Sequence, residues 1–397
     1  MPPLDVRFVV SNNFPGSGTR ITADYANALA ARGIGAEVLY PLVDWWDYKV
    51  FTRARVTDPA QRFRWDARLA WEAASGLAAP KGWCAKDHFQ IHPQVRVKSY
   101  PFRPSARDWS AGQITVVHAG YQIPHLLNTA PPHRIHLVGV VHINLEEATR
   151  SPSPHVAAWY RHWLTLDQHL WLPRYAVSEA AARSAERLGI PVRRVIHNGV
   201  DLRLFHPTRA GKRGLPLTVT LYCDRKLQKG QIYGIEALRT VRAAMGDVRL
   251  CSIGDVLPEH RSLFSHHYGY LHGEAYADAL RESDVLIYPS LYDGFPALPL
   301  EALASGCALI TTAVEGVDEY ARDGENALLC RPRDSEGLGR QLLRLLKQEE
   351  LRGRLRANGP DTAEAFSLER CADRLLEFLE EVRKKPEAEP LRVEVPA

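Results

Sequence analysis

Short apolar runs alternate with amphipathic helical stretches along this chain, and the alternation begins again after a polar break near residue 210. In the first half VRFVVS leads through NNFPGSGTR into ITADYANALAARG, followed by AEVLYP, QITVVHAG, IHLVGVVHIN and RYAVSE. The second half repeats the rhythm with PLTVTLYCD, GQIYGIEALRTVRAAMG, VRLCSIGD, EAYADALRES, DVLIYPS and ALITT. Apolar strands separated by helix-length amphipathic segments are the pattern of βαβ units, which build parallel sheets. The expected fold is therefore α/β, with two Rossmann-like doubly wound domains facing a central cleft. Strand C-terminal ends line such clefts, and ligands bind there.

The break itself, HNGVDLRLFHPTRAGKRG, is polar and contains Gly and Pro, as interdomain connections do. The expected division is 1–203 and 204–366, then a helix over 367–384 packing back toward the first domain and a flexible tail over 385–397. Residues 45–110, rich in Trp, Arg and Pro, read as an elaborated loop region.

Of the 397 residues, 45% are hydrophobic and 24% charged, an ordinary globular balance. No apolar run approaches the roughly 18 residues of a membrane span, and the N-terminus reads as a strand, not a signal peptide. The six cysteines form no CxxC pair and several fall in apolar elements, so they read as buried thiols of a cytoplasmic protein. Residues 1–206 carry a net charge of +8 and residues 207–397 a net of −4, and all nine tryptophans fall between Trp45 and Trp171. Two readings stand for that basic, Trp-rich half: a surface facing an anionic membrane or acidic acceptor, or ordinary core aromatics under a solvated basic surface.

Four constellations bear chemistry. SLYDGFPALPLEALASG (290–306) carries Asp293 and Glu301 eight positions apart around a Gly-Phe-Pro turn, with Pro299 early in a helix and Gly306 just past it. A turn feeding a helix N-terminus presents unpaired N–H groups to an anion or polar ligand. CDRKLQKG (223–230) puts Arg225, Lys226 and Lys229 at a strand end, where positive charge can meet a diphosphate leaving group. FPGSG, with Gly16, Ser17 and Gly18, lies between the first strand and helix. His118 and His142 each end an apolar strand and can hydrogen-bond a sugar hydroxyl. Each of these also has a plain structural reading when taken alone. DxD, HExxH and GxSxG are absent from the sequence, which argues against metal-dependent single-domain sugar transferases, zinc peptidases and α/β-hydrolases.

Together these segments resemble the retaining glycosyltransferases of family 4, which have the GT-B fold. The 290–306 stretch resembles that family's E-x7-E segment, EGFGLPxLEAxAxG, and HNGVDLRLFHP, GYLHGEAYADALRESDVLIYPS, EGVDEYARDGENALL and FSLERCADRLLEFLE follow the family's order. The resemblance covers most of 190–380, and the first half more thinly through PGSG and VVHIN.

It implies transfer of a sugar from a nucleotide-diphosphate sugar, held by the second domain, to an acceptor hydroxyl held by the first. The acceptor would be a polysaccharide or lipid-linked glycan precursor. Arg225 and Lys229 would neutralise the diphosphate with help from Gly16, Ser17 and Gly18, and Glu301 would take the ribose hydroxyls. Gly294, Phe295 and Pro296 would line the sugar, His272 and Gly273 the base, and His142 and Asp293 would act at the donor sugar. His118, Glu146 and Trp159 are the acceptor-side candidates. No bound cofactor, metal or nucleic acid is expected; WYRHWLTLDQHLWLPRY suggests peripheral contact with an anionic membrane at its cytoplasmic face. Asp293 departs from the family's Glu by one methylene, and Arg225 lies one position later than the family's arginine. A nucleotide-sugar epimerase of the same fold and a non-catalytic binding subunit remain as alternatives.

Overall fold

The computed structural model describes residues 3–10, 17–41, 89–100, 113–118, 136–151, single positions between 154 and 164, 172–207 and 216–384. Gly16, Trp159, most of 45–110 and the 385–397 tail lie outside the described residues.

The chain divides into two units, Met1–His197 with Cys371–Ala397, and Asn198–Arg370. In the first, strands β1 (Asp5–Val9), β2 (Gly35–Pro41), β3 (Val95–Tyr100), β4 (Ile114–Val117), β5 (His136–Val141), β6 (Arg174–Ala176) and β7 (Arg194–Val195) form one sheet. Its order is β3-β2-β1-β4-β5-β6-β7 and every pairing is parallel. Helices α1 (Ser17–Ala31), α2 (Leu145–Thr149) and α3 (Glu179–Arg187) belong to this unit. Val6, Phe8 and Val9 of β1 are buried on both faces of the strand, as central parallel strands must be. Arg7 in the same strand is buried too, its charge met by Glu37 of β2 at 2.5 Å.

The second unit holds β8 (Leu217–Cys223), β9 (Val248–Gly254), β10 (His266–Gly269), β11 (Val285–Tyr288), β12 (Ala308–Thr312) and β13 (Ala327–Cys330). These pair in parallel in the order β10-β9-β8-β11-β12-β13. Its helices are α4 (Gln231–Ala244), α5 (Gly273–Glu282), α6 (Ala297–Ala304), α7 (Ser335–Lys347) and α8 (Glu349–Glu364). Alternate residues of its strands serve opposite faces. Val219, Leu221, Cys223, Val285 and Ile287 join the core under α4 and α7. Tyr222 and Tyr288 face the other way, their rings 5.4 Å apart.

Asn198, not residue 204, opens the second unit. The connection is tied down early: Asn198 Nδ2 donates to the Phe295 carbonyl at 3.0 Å, Val200 bridges Ser367, and Phe205 is fully buried. Helix α9 (Leu368–Lys384) starts in the second unit and belongs to the first from Cys371 onward. There Phe378 meets the Tyr175 ring edge-on at 6.0 Å, and Asp373 pairs with Arg32 at 2.7 Å. Among the described residues no helix is long and apolar enough to cross a membrane.

In both sheets the strand order reverses direction once, between β1 and β4 and between β8 and β11. These are the topological switch points, where strand-end loops diverge and leave room for a ligand.

Candidate functional site

The second unit's switch point is built by two segments that interlock. After β8, Asp224 folds the chain back: its Oδ1 accepts from the Lys226 N–H at 2.8 Å, and its carbonyl accepts from Gln231 Nε2 at 2.7 Å. A 3-10 turn over Leu227–Lys229 ends at Gly230, whose φ of 63° lies in the left-handed region. A Cβ there would stand 2.1 Å from the Pro289 carbonyl oxygen, so glycine is required both for conformation and for space. The following turn, after β11, is stitched to this one. Leu291 N–H donates to the Gln228 carbonyl at 2.7 Å, and the Ser290 hydroxyl lies 3.0 Å from the same oxygen.

This interlock brings Lys229 to Asp293, Nζ to Oδ2 at 2.5 Å, with both side chains largely buried. Tyr288 completes the group. Its hydroxyl accepts from Lys229 Nζ at 2.9 Å and donates to Asp293 Oδ2 at 2.6 Å. The other carboxylate oxygen accepts from the Gly294 N–H at 3.0 Å. Burial disfavours the lysine's charge, but the Asp293 carboxylate together with Tyr222 and Asp224 outweighs it, and the lysine titrates above its ordinary range. The Tyr288 phenol is pushed well up, first by burial and then by Asp293, so it stays an O–H donor.

From Asp293 the chain turns into α6. Pro296, in extended conformation, occupies the N-cap without a side-chain cap, so the helix begins with its N–H groups presented and not covered by a side chain. Gly306, at φ 71°, follows the helix end. Glu301 points inward from α6, 1% exposed, and accepts from the Tyr276 hydroxyl of α5 at 2.7 Å. Backbone packing is close on the far side of the turn: a Cβ on Gly316 would meet the Gly294 carbonyl oxygen at 2.1 Å.

Other expected residues stand elsewhere. The Phe295 ring is 3% exposed and packs on Tyr320 and Phe366, centroids 5.3 and 5.5 Å away, so only its main chain contributes to the turn. The Pro296 carbonyl is taken by the Tyr320 hydroxyl at 3.0 Å. Arg225, 60% exposed, pairs with Asp255 at 2.5 Å instead of joining the Lys229 group. His272 caps α5 and Gly273, at φ 56°, opens it beyond β10, two strands from β8.

In the first unit Ser17 opens α1, and the Gly18 carbonyl accepts from the Thr22 hydroxyl at 2.9 Å. His118 and His142 follow the neighbouring strands β4 and β5, and their rings stack at 4.8 Å and 26°. Both nitrogens of His118 and Nε2 of His142 are buried without a partner. Burial pushes His142 down to about 4, and burial together with His142 pushes His118 well below the imidazole range. The pair is therefore neutral at pH 7, with bare polar atoms able to bond hydroxyls. Glu146 is engaged by Arg187 at 2.5 Å, which holds its carboxyl below the usual range.

Three residues of the second-unit arrangement carry no sequence signal that separates them from core: Tyr288 ends an apolar run, Tyr276 lies on the buried face of an amphipathic helix, and Gly316 sits in an ordinary loop. Among the described residues no group of three metal-ligating side chains stands together.

Residues 218–348 match the family model described as Glycosyl transferases group 1. An uncharacterized glycosyltransferase of Methanocaldococcus jannaschii is 33% identical to this chain over 106 residues, 27% of this chain and 30% of that one. This chain spans between 25% and 37% of the length of the curated relatives it first matches. Solved structures resemble it over nearly its whole length. Sucrose-phosphate synthase of Thermosynechococcus elongatus has a TM-score of 0.66 at 17% identity, covering 96% of this chain and 99% of that one. Anabaena HepE, in complex with UDP and glucose, has a TM-score of 0.67 at 15% identity, covering 95% and 100%. These likenesses establish the fold as two parallel-sheet Rossmann-like domains of the GT-B type. Within the matched residues 218–348, the Lys229–Asp293–Tyr288 cluster occupies the switch point between β8 and β11.

Proposed function

We propose that this chain is a retaining glycosyltransferase of the family-4 kind, moving a sugar from a nucleotide-diphosphate sugar to an acceptor hydroxyl. The observation that carries the reading is the pairing of Lys229 with Asp293 at the switch point between β8 and β11. A buried lysine kept charged by a carboxylate, next to an open helix N-terminus, suits a diphosphate. Glu301, a carboxylate inside α6, suits ribose hydroxyls. HepE was solved with UDP-glucose, which supports a nucleotide-sugar donor.

In the proposed reaction the bond between the anomeric carbon and the diphosphate oxygen breaks as the acceptor oxygen attacks from the same face. The departing phosphate oxygen takes the acceptor's proton, and Lys229 stabilises the charge that develops on it. The protein supplies position and charge, with no covalent nucleophile. In the first unit neutral His118 would meet acceptor hydroxyls, and neutral His142 the donor sugar. We further read the acceptor as a polysaccharide or lipid-linked glycan precursor, met at the cytoplasmic face of an anionic membrane. The five described cysteines are buried, as suits that compartment.

The test is incubation with UDP-, GDP- and dTDP-sugars. Slow release of sugar supports a transferase, interconversion of the nucleotide-sugar points to an epimerase, and binding without turnover to a non-catalytic subunit. Flotation with anionic vesicles tests the membrane reading, and absence from the vesicle fraction would remove it.

A further inference from the structure

Tyr288 ends a strand in which every residue is buried, and its ring is 2% exposed. A tyrosine there needs a partner for its hydroxyl, and any carbonyl would serve. It is joined instead to both members of an ion pair, 2.9 Å from the lysine nitrogen and 2.6 Å from the carboxylate. Asp293 thereby holds three donors: one oxygen takes Lys229 and Tyr288, and the other takes the Gly294 N–H.

Those three donors bear on how an anionic ligand could use the lysine. Turning Lys229 away from Asp293 would strip a largely buried carboxylate of its counter-ion, and uncompensated buried charge is costly. The cost is smaller when other donors stay on the carboxylate, because hydrogen bonds to a charged group are the strong ones. Tyr288 and the Gly294 N–H are such donors. The shorter reach of Asp compared with Glu suits this local role.

Resting on the nucleotide-sugar reading of this site, we propose that Tyr288 is a positioning residue that holds Asp293 while Lys229 is handed to the ligand's diphosphate. In this arrangement Asp293 serves as the lysine's counter-ion until the diphosphate takes the lysine. No bond is made or broken in the exchange; one charge-assisted hydrogen bond replaces another. The phenol's resistance to ionisation keeps its proton available for Asp293 at any ordinary pH.

The test is a double-mutant cycle of Y288F and D293N, read by calorimetric binding of UDP, GDP and dTDP at pH 7.5 and pH 9. Without the phenol, Asp293 grips the lysine harder, so Y288F should weaken the preferred diphosphate about 5–20-fold. In the D293N background the same change should alter affinity less than about twofold, because Tyr288 acts through Asp293. D293N alone should lose affinity between pH 7.5 and pH 9, since a buried lysine without its counter-ion titrates lower, whereas Y288F should not. An equal effect of Y288F in both backgrounds, or none in either, overturns the proposal while leaving the donor reading intact. If the wild-type chain binds none of the three diphosphates, the donor reading and this proposal fall together. A second measurement needs no variant: acetic anhydride at pH 7.5 should acetylate Lys229 more slowly than exposed Lys226, as peptide mass spectrometry can follow. Lys229 labelling as fast as Lys226 would overturn the counter-ion role even if Y288F did not fold.

Discussion

Lys229 and Asp293 lie 64 positions apart in the chain and 2.5 Å apart in space, one on the turn after β8 and the other on the turn after β11. The parallel pairing of those two strands brings the turns to the same end of the sheet. The Gln228 carbonyl ties the two turns by accepting from the Leu291 N–H, and the Pro289 carbonyl leaves no room for a side chain at Gly230.

Loss of the lysine should damage turnover far more than loss of the neighbouring arginine. Lys229→Ala is expected to raise the barrier to donor cleavage by on the order of 2–4 kcal/mol. Arg225→Ala removes an exposed surface pair, so its effect on stability should stay below about 1 kcal/mol. Steady-state rates of donor hydrolysis and urea unfolding check both. Near-wild-type turnover in the lysine variant would remove it from its assigned role.

Glu301 can be tested by separating its hydrogen bond from its charge. Glu301→Gln keeps an acceptor for the Tyr276 hydroxyl, so unfolding free energy should change little while diphosphate binding weakens about tenfold. Glu301→Ala orphans that hydroxyl and should cost a further 1–3 kcal/mol or so of stability. Equal binding by the glutamine variant and the wild type would exclude a role for the carboxylate in ribose recognition.

Gly316 is tolerant of no side chain at its present spacing. Alanine there would drive its Cβ against the Gly294 carbonyl and should destabilise the second unit by about 1–3 kcal/mol, displacing the Asp293 turn as well. Thermal unfolding in the presence and absence of nucleoside diphosphate reads both effects. A melting temperature matching the wild type would mean that this loop shifts freely.

Acid should weaken the first unit through its histidines. The folded His142 sits near 4, against about 6.5 for an unfolded imidazole, so the unfolded state binds the proton first. The stability is complete above about pH 6.5 and lost as pH falls toward 4, on the order of 3 kcal/mol from this residue. His118 acts in the same direction. Urea unfolding at pH 7 and pH 4.5 should reveal a loss that His142→Asn makes shallower; an identical slope in that variant would show the ring is not held neutral by burial.

Much of the candidate site could be picked out in the sequence. Asp293, Glu301, Pro299 and Gly306 could be found because helix punctuation and a turn between strand and helix are local signals. Lys229 stood out as charge at a strand end. Phe295 and Arg225 were read less well. Phe295 turns inward because Tyr320 and Phe366 offer it an aromatic pocket, and Arg225 turns outward because Asp255 meets it after β9. Those partners lie 25 or more positions away in the chain, beyond the reach of any turn or helix rule. Tyr288 and Tyr276 were invisible as functional candidates for a related reason, since a buried aromatic in an apolar run looks the same whether or not its hydroxyl meets a charge.

The sequence by itself determined the alternation of strands and helices, the restart that makes two domains, and the residues that end each strand, because these depend on neighbours a few positions apart. The tertiary structure alone decided which strand ends lie side by side, and hence that one carboxylate meets a lysine and a phenol while the other is buried against Tyr276. Strand order and close backbone packing are collective properties of a whole sheet, and hydrogen-bond partners a few ångströms apart follow from them.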